Sequence, residues 1–149
     1  MEALQIRIKR VPGCEDIPLP RRMTDRSAGF DLHAAVDGPL SLGPGEIRLI
    51  PCGFHIAVPP GYEAQVRPRS GLAARHGITL VNTPGTIDSD YRGQVMCPVI
   101  NLGHEPFTIE RGMRIAQMVI AAVPAVQLLE VQELDDTARG EGGFGHTGT

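Results

Sequence analysis

Val81-Asn82-Thr83-Pro84-Gly85-Thr86-Ile87-Asp88-Ser89-Asp90-Tyr91-Arg92-Gly93-Gln94-Val95-Met96 is the stretch on which the reading of this chain turns. An apolar run, Ile78 to Val81, leads into it, and another, Val95 to Ile100, leads out. Pro84, Gly85 and Gly93 between them are turn formers, so the stretch reads as a β-hairpin with an elaborate tip. The tip carries Asp88, Asp90, Tyr91 and Asn82. Asn82 offers a donor and an acceptor, which suits the edge of a planar amide or a nucleobase. Tyr91 offers a flat apolar face ending in a hydroxyl. A carboxylate beside such a pocket can orient and deprotonate a water. A plain solvated turn has the same composition, so the stretch alone leaves both readings open.

The hairpin sits among other short strands. Leu4, Ile6 and Ile8 alternate with polar residues and predict a half-buried first strand, ended by Pro12-Gly13. Phe30 to Ala35, Glu46 to Ile50, Phe54 to Val58 and the alternating Tyr62, Ala64 and Val66 read as further strands, with Pro51-Cys52-Gly53 splitting the second from the third. Leu42-Gly43-Pro44-Gly45 and Pro59-Pro60-Gly61 read as turns. Ser70 to Arg75 is the best helical turn, with Ser70 as cap and Gly77 as stop. After the hairpin come Phe107 to Ile109, Arg114 to Val123 and Val126 to Leu134, the last two joined at Pro124. About ten short strands and no repeat predict an all-β fold: a jelly roll or distorted β-barrel with one short helix. Residues 1–134 form that domain. Residues 135–149 hold five glycines and one large apolar residue, Phe144, too little to bury, and read as a flexible tail.

The 149 residues suffice for one real core. Hydrophobic content of 42% and charged content of 21% fit a soluble globular protein. A net charge of −3 has the wrong sign for a duplex-binding protein. Any anionic ligand must be held by local arginines, backbone N–H groups or a metal. Cys14, Cys52 and Cys97 form no CxxC pair and fit a reducing cytoplasm, Cys52 and Cys97 as buried small hydrophobes. No run of about 18 apolar residues predicts a membrane span, and Met1 to Arg7 does not read as a signal peptide.

Four more stretches carry chemistry. Asp31 stands in the apolar strand Phe30-Asp31-Leu32, where a carboxylate either faces outward or needs a cation. Pro68-Arg69-Ser70-Gly71 sets a guanidinium, a hydroxyl and free N–H groups at a helix start, the makings of a phosphate cradle; a simple capping turn is the plainer alternative. Gln117, in the apolar run Arg114 to Ile120, needs a partner, either a ligand oxygen or neighbouring backbone. Arg139-Gly140-Glu141-Gly142-Gly143-Phe144-Gly145 is neither a Walker loop nor a dinucleotide fingerprint, and suits a mobile lid better. The five histidines lack HxxxH or HExxH spacing, which argues against zinc.

Taken in order, these stretches resemble the five motifs of the trimeric dUTP pyrophosphatases (dUTPases). They are Ala-Gly-Phe-Asp-Leu at 28–32, Pro-Arg-Ser-Gly-Leu at 68–72, Gly-Thr-Ile-Asp-Ser-Asp-Tyr-Arg-Gly at 85–93, Arg-Ile-Ala-Gln-Met at 114–118 and Arg-Gly-Glu-Gly-Gly-Phe-Gly at 139–145. Each is weak alone; five in order across nearly the whole chain are specific.

The resemblance implies hydrolysis of dUTP to dUMP and pyrophosphate with Mg²⁺, limiting uracil in DNA and supplying dUMP for dTTP synthesis. Asp88 would activate the water. Asn82 and the backbone at Met96 would read uracil, Tyr91 would pack on the deoxyribose, and Thr86 and Ile87 would line the same pocket. Arg69, Ser70, Gly71 and Gln117 would hold phosphates, with Arg139 on the γ-phosphate and Phe144 over the base. Asp31 would act on the metal through water. His33 and His146 carry no implied catalytic role. The resemblance also implies a homotrimer whose sites are shared between chains, in which Val126, Leu128 and Val131 supply either intersubunit packing or the chain's own core. A triphosphate carries about four negative charges, and cleaving it needs neutralisation more than covalent help. Two rivals remain: a dCTP deaminase-like enzyme, and a nucleotide-binding relative without turnover. The former is expected to need a glutamate after the hairpin, where this chain has Gln94-Val95-Met96-Cys97-Pro98; the latter sits poorly with Asp88 and the tail motif.

Overall fold

The computed structural model describes residues 3–148. Ten strands and one helix follow in the order β1 (Arg7–Arg10), β2 (Phe30–His33), β3 (Leu40–Leu42), β4 (Ile47–Ala57), β5 (Tyr62–Pro68), α1 (Ser70–His76), β6 (Ile78–Leu80), β7 (Gly85–Ile87), β8 (Gln94–Asn101), β9 (Phe107–Ile109) and β10 (Arg114–Ala122). They form one four-stranded sheet, β1-β4-β8-β6, a second, β2-β10-β5-β7, and a two-stranded ribbon, β3-β9. The three enclose one core: Ile50, Phe54, Ile56 and Val99 from the first sheet, Leu32, Val66, Ala116 and Met118 from the second, Leu42 and Ile109 from the ribbon. This is the all-β, jelly-roll-like arrangement with a short helix; among the described strands the sheets do not close into a barrel.

The central hairpin forms as its apolar flanks require. β6 pairs antiparallel with β8, Ile78 opposite Asn101 and Leu80 opposite Val99. Its tip does more than turn. Residues Gly85–Ile87 leave the first sheet and pair as β7 with β5 in the second, Gly85 opposite Val66 and Ile87 opposite Ala64. The hairpin therefore ties the two sheets together.

Four local expectations need correction. Pro51-Cys52-Gly53 does not split a strand: β4 runs through, and a bulge between Pro51 and His55 absorbs the irregularity. Gly53 there has φ +77, a bend rather than a break. Ser70 is the first helical residue and not the cap; the N-cap is Arg69, extended and without a side-chain cap bond. Gly77 does stop the helix. It adopts φ +68, its N–H donates to the Ala73 carbonyl, and a side chain there would run into the Gly103 backbone. The alternating face of the first strand is only weakly covered, with Leu4 and Ile8 exposed. The fourth correction is the largest. Val126 to Leu134 is not a strand; it runs exposed, with Leu128 92% and Leu134 85% accessible. Hydrophobic periodicity identified an apolar surface there but not its partner. Among the described residues, no helix is long and apolar enough to cross a membrane.

Candidate active site

Sheet register decides which of the candidate residues meet. In the second sheet β10 lies between β2 and β5, so Gln117 stands opposite Asp31 on one side and Arg67 on the other. Asp31 does not face outward into solvent. It is buried, and its carboxylate receives Arg114 Nη1 at 3.0 Å and lies 3.6 Å from Arg69 Nε. The cation that a carboxylate in an apolar strand requires is thus doubled. Arg69 Nη1 also reaches the Arg114 carbonyl at 3.4 Å. Gln117 donates from Nε2 to the Pro68 carbonyl at 3.0 Å, the backbone partner of the two readings, which pins β10 to the chain just before Arg69. Ser70 and Gly71 follow Arg69 and are exposed.

His33 completes this cluster. It is buried beside Asp31, and its Nδ1 has no hydrogen-bond partner among the described residues. Burial lowers its pKa from the ordinary 6.5; Asp31 pulls it up, while Arg114, Arg21 and Arg69 push it further down. Burial and the three arginines thus favour the neutral ring. That suits a group confined among guanidiniums.

The hairpin residues form a second group. Asn82, Thr86 and Asp88 are exposed, whereas Ile87 is buried in the core and offers only its backbone to a ligand. Asp88, Ser89 and Asp90 line a cleft with Gly61, Tyr62, Glu63 and Val123. The tip is held internally: the Tyr91 N–H donates to the Asp88 carbonyl at 3.2 Å, and its hydroxyl donates to the Gln94 carbonyl at 2.9 Å. The Tyr91 ring folds over Gly93, where any side chain would collide with it. Met96 stands in β8 with its side chain part exposed.

The tail forms a third group. Arg139 Nε donates to the Gly142 carbonyl at 2.8 Å, and Gly142, His146 and Gly148 N–H groups bond to carbonyls three residues back. Phe144 projects fully into solvent from a backbone with φ +50.

Within one chain the base of the hairpin, Thr83 and Pro84, lines a pocket with Pro68 and Gln117, but its Asp88 tip stays apart from Arg69. Ile87 is level with Ala64, so Asp88 falls level with Glu63, and β5 ends five residues further on at Pro68, just before Arg69. At ~3.3 Å per residue that is about 17 Å between the level of Asp88 and the end of β5 that leads into Arg69. Arg114 is the residue that sequence reasoning missed. It opens the Arg-Ile-Ala-Gln-Met motif, and the signal for it is the carboxylate inside an apolar strand, which has to find a cation.

The fold and these clusters define a jelly-roll-like protein with a buried carboxylate held between two arginines and a carboxylate-bearing hairpin. A dUTPase family profile matches residues 15–148, and the chain belongs to the dUTPase family. A deoxyuridine 5'-triphosphate nucleotidohydrolase of Caldanaerobacter subterraneus subsp. tengcongensis is 56% identical over 146 residues, spanning 98% of this chain and 99% of the relative. One of Caulobacter vibrioides is 59% identical over 147 residues, 97% and 95% of the two chains. Among solved structures, Staphylococcus bacteriophage 80alpha dUTPase with dUPNHPP superposes with a TM-score of 0.86 at 25% identity, covering 97% of this chain and 99% of that one.

Proposed function

We propose that this protein hydrolyses dUTP to dUMP and pyrophosphate, using Asp88 to activate water. The observation that carries the reading is the Asp31–Arg69–Arg114–Gln117 cluster, built from three separate motifs on one sheet. Asp31 orients Arg69, and the guanidinium keeps donors free for phosphate. Ser70 and Gly71 add a hydroxyl and backbone N–H groups. Asn82 and the Met96 backbone read the uracil edge, Thr86 and Ile87 contribute from β7, and Tyr91 walls off the 2′ position of the sugar. Arg139 and Phe144 close over the γ-phosphate and base.

Mg²⁺ fits these residues through water. Among the described residues, no three His, Cys, Asp or Glu side chains gather as a metal cage. Mg²⁺ keeps several waters and takes the rest of its shell from phosphates, so it needs little from the protein. The Asp31 side chain keeps 13% accessibility, and each of its oxygens retains a lone pair beyond its arginine contact. Bound there, the ion would supply charge neutralisation for the triphosphate. Asp88 would take the proton of the attacking water, and Arg69 with Arg139 would balance charge on the departing pyrophosphate.

The about 17 Å offset along β5 supports a site shared between copies in a homotrimer. Phosphate donors would come from one chain, the hairpin from a second and the tail from a third. The two-part division, a β domain over 1–134 and a lid over 135–149, goes with this reading. A cytoplasmic setting fits three free, buried thiols, and the product dUMP would feed dTTP synthesis while dUTP is kept from DNA.

Product analysis with each deoxynucleoside triphosphate and Mg²⁺ tests the reaction. Only dUTP should be consumed readily, giving dUMP and pyrophosphate; dUDP and inorganic phosphate would overturn the assignment. Asp88→Asn keeps the shape, so nucleotide binding should persist while turnover falls by about 10²–10⁴. An active Asp88→Asn enzyme would remove Asp88 as the base.

A further inference from the structure

We infer that His55 is a positioning residue that sets the hairpin tip and, through it, discrimination between deoxyribose and ribose. This rests on the reading that the tip carries Asp88 as base and Tyr91 as sugar wall. His55 is on β4, far from those residues in sequence. The bulge between Pro51 and His55 shifts the β4–β8 register, so His55 comes opposite Gln94, at the foot of the tip. Bulges commonly re-aim a side chain in this way. From there His55 Nδ1 lies 2.9 Å from the Arg92 carbonyl oxygen.

A carbonyl only accepts, so Nδ1 must carry the proton. The other hydrogen bonds of the tip among the described residues are its own. Arg92 Nη1 donates to the Ser89 and Tyr91 carbonyls, both at 2.8 Å, and Tyr91 closes on Asp88 and Gln94. These bonds make Ser89 to Gln94 one stiff unit but leave its placement on the sheet to its two ends and to His55. Without the His55 bond the unit can tilt as a whole. The Tyr91 ring and the Asp88 carboxylate would then move together. Displacement by about 1 Å of a positioned group can cost about 10²-fold in rate.

The test compares wild type, His55→Ala and His55→Asn, whose amide N–H can replace Nδ1–H. For each, kcat and KM are measured with dUTP and with its ribose counterpart UTP. His55→Ala should lower kcat/KM for dUTP about tenfold and narrow the dUTP-to-UTP ratio about tenfold. His55→Asn should bring both back towards wild type. Ring ¹⁵N NMR of the wild-type protein gives a reading independent of any variant's folding: His55 should be protonated at Nδ1. Wild-type kinetics and selectivity in His55→Ala, equal losses in both variants, or a neutral ring protonated only at Nε2 would each refute the role. A wild-type protein that does not turn over dUTP would refute the underlying function instead.

Discussion

Asp31 shows what a single buried charge demands. In its strand, Phe30–His33, it stands between Phe30 and Leu32, and the carboxylate is kept there by Arg114 at 3.0 Å and Arg69 at 3.6 Å. The need for a cation was legible in the sequence; which arginines answer it was not, because that depends on the β2-β10-β5 order. A second arginine, Arg111, does purely structural work. It grips Asp16 with Nε and Nη2 at 2.8 and 2.7 Å and donates to the Gly13 and Val36 carbonyls, holding the loop that carries Cys14 and Ile17. The Arg111 hydrogen bonds hold the Asp16 carboxyl below its ordinary value of 3.8. A lowered carboxyl pKa favours the folded state once the group is ionised. Its contribution is complete above the unfolded pKa and lost as pH falls through the folded one. Denaturant midpoints of wild type and Asp16→Asn should therefore differ at pH 7 and converge as pH drops below 3.8. The pair is exposed, so the gap should also shrink in high salt. A gap that persists unchanged in strong acid would show that the carboxylate charge is not what matters.

At the scale of elements, strand existence followed periodicity and strand ends followed chemistry that periodicity does not see. β5, β8 and β10 read directly from their apolar runs. β3 and β7 are three residues each and pass for turns until a partner is supplied. The prolyl-glycyl interruption in β4 looked like a break because a bulge and a turn share the same residues. The C-terminal segment failed differently: its apolar residues were recognised, but alternation cannot say whether the covering surface belongs to the same chain. Beyond it, the hydrogen bonds of the tail are local and Phe144 covers nothing in its own chain. Deleting 138–149 should therefore leave the unfolding midpoint of the protein nearly unchanged. Turnover of dUTP should collapse if Arg139 and Phe144 act as the proposed lid, because both are removed. Phe144→Ala should reproduce part of the loss. Full activity in the truncated protein would exclude a lid.

Over the whole molecule, unmet apolar surface and an incomplete site point the same way. Ile47 and Leu49 on β4, Met96 on β8 and Val81 just after β6 are exposed, and Val126, Leu128, Leu129, Val131 and Leu134 line the C-terminal segment. Apolar exposure of this extent marks an interaction surface more often than a free one. Within one chain Asp88 and Arg69 stand level with opposite ends of β5, too far apart for one nucleotide to meet a water at the first and place its phosphates on the second. A shared site reconciles both observations and makes complementation the decisive experiment. Asp88→Asn protein and tail-deleted protein, each nearly inactive, are unfolded together and refolded as a mixture. In some mixed assemblies one site receives an intact Asp88 from a tail-deleted chain and an intact tail from an Asp88→Asn chain. Activity should reappear in the mixture and not in either protein refolded alone, and light scattering should report a trimer. If every site were built within one chain, no mixed assembly would unite the two intact parts. A mixture as inactive as its components, or full activity in a monomer, would rule out sharing.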